Sequence, residues 1–288
     1  MTGPMKIAWA PSLKPQKMIN QRHYTKHMTL WMGLLIVGIC SFAGLLAPII
    51  APNLPNEMNL TDQLQNPSLN HLFGTDEFGR DIFSRVVYAL RLDLWVVAVI
   101  TLVPLLVGLL IGASAGFFGG KIDVLINRAI DICIAFPLMV LVIAVIAITG
   151  PGLTGVFIGV LGVGWVMYAQ IARAEMLVLR NQQFVMAAQA LGYSSSRTLF
   201  RHALPNLWRS NIVFSSSDAV LNMLLLSGLS YLGLGVQAPT AELGSMVAGG
   251  QQYLVQAWWV ATIPGLVILF LGIGLSMVGD GLADRLSL

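Results

Sequence analysis

Phe184-Val-Met-Ala-Ala-Gln-Ala-Leu-Gly192, closed ten residues later by His202-Ala-Leu-Pro205, sits in a polar, arginine-bearing stretch of about 40 residues between two apolar runs. Ala187, Ala188, Ala190 and Leu191 have high helix propensity, and Gly192 suits the end of that helix. Ser194 or Ser195 can cap a second helix, which runs through Thr198-Leu-Phe-Arg201 and is expected to stop before Pro205. Two short helices joined by a turn predict a blunt corner with Leu191 and Tyr193 near its tip. Arg197, Arg201 and Arg209 suit lipid phosphates or the enrichment of basic residues on cytoplasmic flanks. An apolar tip on a long polar loop is better explained by a groove in another protein. The stretch therefore reads as a knob through which a separate engine drives a membrane subunit.

The apolar flanks of this knob dominate the chain. Of 288 residues 56% are hydrophobic and 10% charged, against about 25% charged in ordinary soluble domains. A transmembrane helix needs about 20 apolar residues, and backbone groups in lipid must bond internally. Six helical spans are expected near 29–50, 93–118, 129–149, 152–172, 212–236 and 258–279. The first apolar run is too long for a signal-peptide core of about 7–15 residues, so it reads as a retained helix. With the N-terminus inside, the inner segments hold Lys6, Lys14, Lys17, Arg22 and Lys26, then Lys121 and Arg128, then Arg173, Arg180, Arg197, Arg201 and Arg209, then Arg285. The outer segments hold only Arg80, Arg85 and Arg91. Both termini are expected in the cytoplasm. Trp95, Trp258 and Trp259 fall where interfacial rings prefer to sit.

The expected organisation is a cytoplasmic tail at 1–28, a first span at 29–50, an outer segment at 51–92 and a core at 93–288 containing five spans and the inner loop 173–211. In the outer segment, Leu72-Phe-Gly-Thr-Asp-Glu-Phe-Gly-Arg-Asp-Ile-Phe-Ser-Arg85 is dense in charge. Thr75 can cap a helix starting near Asp76, whose acids would favour the positive helix end. Phe78, Ile82, Phe83 and Val86 suggest that it lies amphipathically on the outer membrane surface to Leu92.

Several chemistries are disfavoured. Gly120-Lys121 lacks the glycine and the hydroxyl residue of a phosphate-cradling loop, so no nucleotide-hydrolysing unit is expected. Gly112-Ala-Ser-Ala-Gly116 matches a nucleophile-elbow pattern around Ser114, but an elbow needs a strand-turn-helix setting and a histidine partner. His23, His27, His71 and His202 are scattered through polar segments, and no metal cluster is expected. Cys40 and Cys133 sit in separate spans, as small packing residues do. Gly108, Gly112, Gly116 and Gly120 recur every fourth residue and predict a smooth helix-packing stripe. Asp131, three residues after Arg128, can share a helix face with it. Asp218 lies about two turns into the fifth expected span. Intramembrane acids usually face a partner or a watery cavity, so Asp218 is a candidate for a translocation path. An ion-gradient carrier using Asp131 and Asp218 is the alternative reading.

The motifs together resemble the membrane permeases of binding-protein-dependent ABC importers. Met186-Ala187-Ala188, Gly192, His202 and Leu204-Pro205 occupy the places of that family's cytoplasmic signature, with Met186 replacing its acid and His202 its isoleucine. Gly74 to Arg85, Leu229 to Gly235, Ala238 to Gly244 and Gly279 to Asp284 are similar to the C-type permeases for dipeptides, oligopeptides and nickel. The similarity spans about residues 29–286. It implies the type I permease fold in a bacterial inner membrane, and an ATPase-coupling role for Met186, Ala187, Ala188, Ala190, Leu191, Gly192, Tyr193, Ser194, Leu204 and Pro205. It also implies a homologous B-type permease, two cytoplasmic ATPase subunits that use the ATP, and an extracytoplasmic solute-binding protein. Lipid surrounds such a chain, and neither a cofactor of its own nor nucleic acid is implied. Ala238-Pro-Thr-Ala-Glu242 leans mildly toward nickel or a metal chelate over peptides as cargo.

Overall fold

The computed structural model describes residues 16–286; residues 1–15 and the side chains of 16–27, hence nearly all of the expected tail, lie outside the described residues. The regular secondary structure of the described residues is all helical, apart from one isolated antiparallel bridge between Thr75 and Asp81. Five helices are long and apolar enough to cross a membrane, within α1 (Gln16–Leu45), α3 (Ile82–Phe118), α6 (Leu153–Leu179), the run Ser195–Tyr231, and α11 (Trp259–Leu286). The sixth span is a pair, α4 (Gly120–Ile134) and α5 (Leu138–Thr149), bent by 87°. The expected straight span at 129–149 is therefore broken. Pro137 flanks α5; it has no N–H to donate and drives the preceding residue out of helical conformation.

Two further expectations are corrected. No surface helix covers 76–92. After the short α2 (Ala47–Ile50) the chain folds into loops as far as Asp81, and α3 then runs unbroken into the membrane. Asp81, not Thr75, caps it, accepting from Ser84 N at 2.8 Å. The glycines and short-range polar bonds of 72–81 favour turns over helix, because Asp76 takes the amides of Phe78 and Arg80 at 2.9 and 3.0 Å. Nor does the second arm of the corner stop before Pro205. After α8 (Ser195–Arg197), a π-helical turn at Thr198–Ala203 joins α9 (Leu204–Tyr231) without a break. Proline lacks an N–H and crowds the carbonyl four residues back; the wider turn, with Leu204 N bonded to Leu199 O, gives its ring room.

The most extensive helix pairing is α3 with α6. A Cβ at Gly108 would lie 2.6 Å from Tyr168 Cβ, one at Gly112 2.8 Å from the carbonyl carbon of Ala169, and one at Gly116 2.8 Å from the carbonyl oxygen of Arg173. The glycine stripe thus brings two backbones into contact, which is how helices associate where lipid removes the hydrophobic drive. Gly120 is not part of it. It opens α4 at φ +58°, and nothing lies within 4 Å of a Cβ placed there. The α1–α11 pair uses the same device at Gly33, Gly274 and Gly281.

Candidate functional site

One end of the bundle carries the corner. α7 (Gln183–Ala190) turns at Leu191, and Gly192 takes φ +81°, a conformation that costs other residues a Cβ clash. Ser194 then caps α8, its Oγ accepting from Arg197 N at 3.4 Å. The Tyr193 ring stacks on His202 at 5.6 Å, and the Arg197 guanidinium lies 5.5 Å above Tyr193. Val185 and Ala188 face inward, while Leu199, Ala203 and Leu207 of the second arm join Leu109, Ala113, Ala172 and Met176 in one buried cluster. Both arms are therefore fixed to the bundle, and the tip points away from it.

Of the residues expected at this surface, Met186, Ala187, Ala190, Leu191, Gly192, Tyr193, Ser194 and Pro205 are exposed, Leu191 at 75%. Ala188 is buried and Leu204 half-buried, so these two hold the corner together and do not face outward. Phe184 and Phe200 are exposed as well and were not singled out from sequence. A phenylalanine inside a polar loop was the available signal, since such a stretch offers little apolar surface to bury it.

Asp218 lies on α9 facing α3 and α6. Its Oδ2 accepts from the Tyr168 hydroxyl at 2.7 Å and from Asn222 Nδ2 at 2.9 Å. Asn222 also donates to Thr101 Oγ1 at 3.0 Å. Tyr168 and Asn222 were missed in the sequence, although a buried tyrosine hydroxyl needs a partner. Asp131 is elsewhere: its charge acts on Arg173, which holds Asp123 in a two-pronged bridge at 2.5 and 2.8 Å. Among the described residues no Arg128–Asp131 bridge forms, and no hydrogen bond links Asp131 to Asp218. Ser114 lies in the regular helix of α3, so no nucleophile elbow exists. Cys40 and Cys133 are both free thiols.

The opposite end is closed by the charged segment. Arg80 Nε donates to Asp76 Oδ2 at 2.6 Å, Arg85 approaches the same oxygen at 3.7 Å, and Arg85 also donates to Pro55 O at 2.8 Å. His71 Nδ1 meets Asp81 Oδ1 at 3.0 Å. Trp259, expected at the membrane interface with Trp95 and Trp258, is instead buried and donates to Thr75 O at 3.2 Å; the other two stay exposed. Glu242 caps α10 (Leu243–Gly250), accepting from Gly244 N and Ser245 N at 3.0 and 2.7 Å. Burial pushes its carboxyl above the ordinary glutamate value, against those hydrogen bonds, which pull it down. Asp76, Arg80, Asp81 and Arg85 are all less than a tenth exposed. They form an internal clasp, not a charged docking patch.

No group of three or more His, Cys, Asp and Glu side chains is placed to hold a metal among the described residues.

Residues 108–287 match the family described as "Binding-protein-dependent transport system inner membrane component". The chain is 38% identical over 255 residues to the dipeptide transport system permease protein of Alkalihalophilus pseudofirmus, covering 88% of this chain and 84% of that one. It is 37% identical over 263 residues to the di/tripeptide transport system permease protein of Pseudomonas aeruginosa, with 88% and 86% covered. With the dipeptide transport system permease protein of Haemophilus influenzae it shares 35% identity over 261 residues, 88% of each.

Proposed function

Because this chain belongs to the inner membrane components of binding-protein-dependent transport systems, non-catalytic membrane subunits of ATP-driven importers, we propose that it passes short peptides inward across the bacterial inner membrane. The cargo is inferred from relatives whose names specify dipeptides and di/tripeptides. The lean toward nickel or a metal chelate finds no support in those relatives. In this reading the chain pairs with a B-type permease, receives cargo from an extracytoplasmic solute-binding protein, and is driven by two cytoplasmic ATPase subunits that bind the ATP. Both termini lie in the cytoplasm, as the placement of basic residues argues.

The observation that carries the reading is the exposed corner, fused without a break to a membrane span. Its first arm is α7, and its second arm and the fifth span are one 37-residue helix, Ser195–Tyr231. A push on Leu191 and Tyr193 reaches the span through one short turn at 191–194, packed by the Tyr193–His202 stack. It moves α9, and with it Asp218, relative to α3 and α6. Met186, exposed at the place where the family carries an acid, gives the tip an apolar contact there instead of a charged one. ATP shifts the equilibrium only by favouring one of two arrangements of the helices, and closure of the ATPase pair supplies that difference.

No observation favours the gradient-driven alternative, since Asp131 and Asp218 sit in separate networks.

The test places single cysteines at Leu191 and Tyr193 in the complete transporter. Both are expected to cross-link to the ATPase subunits, with yields that change on ATP addition. Peptide uptake into proteoliposomes should require ATP and the solute-binding protein. Uptake driven by an ion gradient without the ATPases would overturn the reading.

A further inference from the structure

Asp218 is an acid within a membrane-spanning helix and has no basic partner among the described residues. Its two hydrogen bonds, from Tyr168 and Asn222, converge on one oxygen, Oδ2. Oδ1 takes no hydrogen bond, and it is absent from the buried, unsatisfied polar atoms among the described residues, so it is open to space. Asp218 and Asn222 line a cavity of about 180 Å³ together with Cys133, Phe136, Met167, Gly164 and further apolar residues. Phe136 belongs to the break between α4 and α5, where the sixth span bends by 87°. The cavity thus lies where α3, α6 and α9 meet the one span that is not straight.

An acid in such a place is expensive and is kept for a partner. Tyr168 and Asn222 are neutral donors that orient the carboxylate without neutralising it. The complement still missing is a small cation that donates hydrogen bonds. A metal ion fits poorly, because no three ligating side chains come together here. The volume matches the share of about six waters at ~30 Å³ each. It admits a charged group and the residue that bears it, but not a whole peptide.

Resting on the peptide reading above, we propose that Asp218 is a cargo-binding residue: its free Oδ1 receives the protonated amino terminus of the peptide in transit, while Tyr168 and Asn222 hold the carboxylate in position. An ammonium–carboxylate pair is a charge-assisted hydrogen bond. The rest of the peptide extends out of the cavity, past Phe136. Because Asp218 rides on α9, the helix moved by the corner, the grip on the amino terminus changes as the engine cycles.

The test uses the assembled transporter in lipid nanodiscs without its solute-binding protein, so that selection by that protein does not enter. Binding of dialanine and of its Nα-acetyl derivative is followed by saturation-transfer NMR. The native complex is expected to bind dialanine at least tenfold more tightly than the acetylated peptide. D218N should abolish that preference, D218E should retain most of it, and Y168F should weaken it only partly. Equal binding of the two peptides by the native complex, an absence of binding, or an undiminished preference in D218N overturns the proposal. The native comparison can overturn the proposal without any variant, and an undiminished preference in Y168F overturns the assigned site even if D218N fails to assemble. ATP-driven uptake of dialanine by the complete system is measured in parallel. If uptake is present and the preference absent, the Asp218 assignment alone fails; if no peptide is taken up, the peptide reading itself fails.

Discussion

Gly112 and Gly162 both lie in long apolar helices; Gly112 belongs to the four-residue glycine repeat, but the repeat alone does not say which glycine touches a neighbour. The structure separates them. A Cβ at Gly112 meets the backbone of Ala169, whereas nothing lies within 4 Å of one at Gly162. Overpacking a tight contact costs about 1–3 kcal/mol, while alanine in an open helical position gains up to about 1 kcal/mol over glycine. Gly112→Ala is expected to lower the melting temperature of the detergent-solubilised protein, and Gly162→Ala to leave it unchanged or raise it. The four-residue spacing of Gly108, Gly112 and Gly116 was legible because it repeats at helix period. Gly120 continued the spacing but not the helix, since α3 ends at Phe118. The partners of Asp218 were illegible for a different reason: Tyr168 lies 50 residues away in sequence, and only helix packing sets that pairing.

At the scale of elements, the segment 51–81 shows how charge misleads. Acids and bases spaced along 72–85 suggested an amphipathic surface helix. Instead they fold onto one another, and helix begins only where Asp81 supplies a cap. Asp76 is the centre of the clasp, since Arg80 and Arg85 both approach its Oδ2. Removing one partner of a buried ionic group costs about 3–5 kcal/mol. Asp76→Ala should therefore destabilise the protein strongly and open 51–81 to proteolysis. Arg91 is exposed, and Arg91→Ala should shift stability by no more than about 0.5 kcal/mol. Equal protease resistance of the two variants would argue against the clasp. The break between α4 and α5 has a sequence signal, Pro137, but proline inside an apolar run marks either a mild kink or a sharp turn. Here packing against α6 accompanies the sharp turn.

For the whole molecule, the six apolar runs and their basic flanks argue for one orientation, which impermeant labelling can check. Leu69 is 97% exposed at the end bearing 51–81, and Leu191 is 75% exposed at the corner. With Cys40 and Cys133 replaced by alanine, a cysteine at 69 should react with an impermeant maleimide in right-side-out vesicles. A cysteine at 191 should react only after permeabilisation, and the reverse pattern would invert the assigned topology. By itself the sequence determined the helical membrane class, the approximate spans, the exposed turn at Gly192 and the family. These are written in local composition and short-range periodicity, which the bilayer and the helix read directly. Only the tertiary structure decided that the corner's second arm and the fifth span are one helix, that the charges of 76–85 pair with one another, and that Asp218 is held by two neutral donors. Each of these depends on which side chains meet across helices distant in the chain, and apolar sequence has too little variety to encode those meetings in a legible pattern.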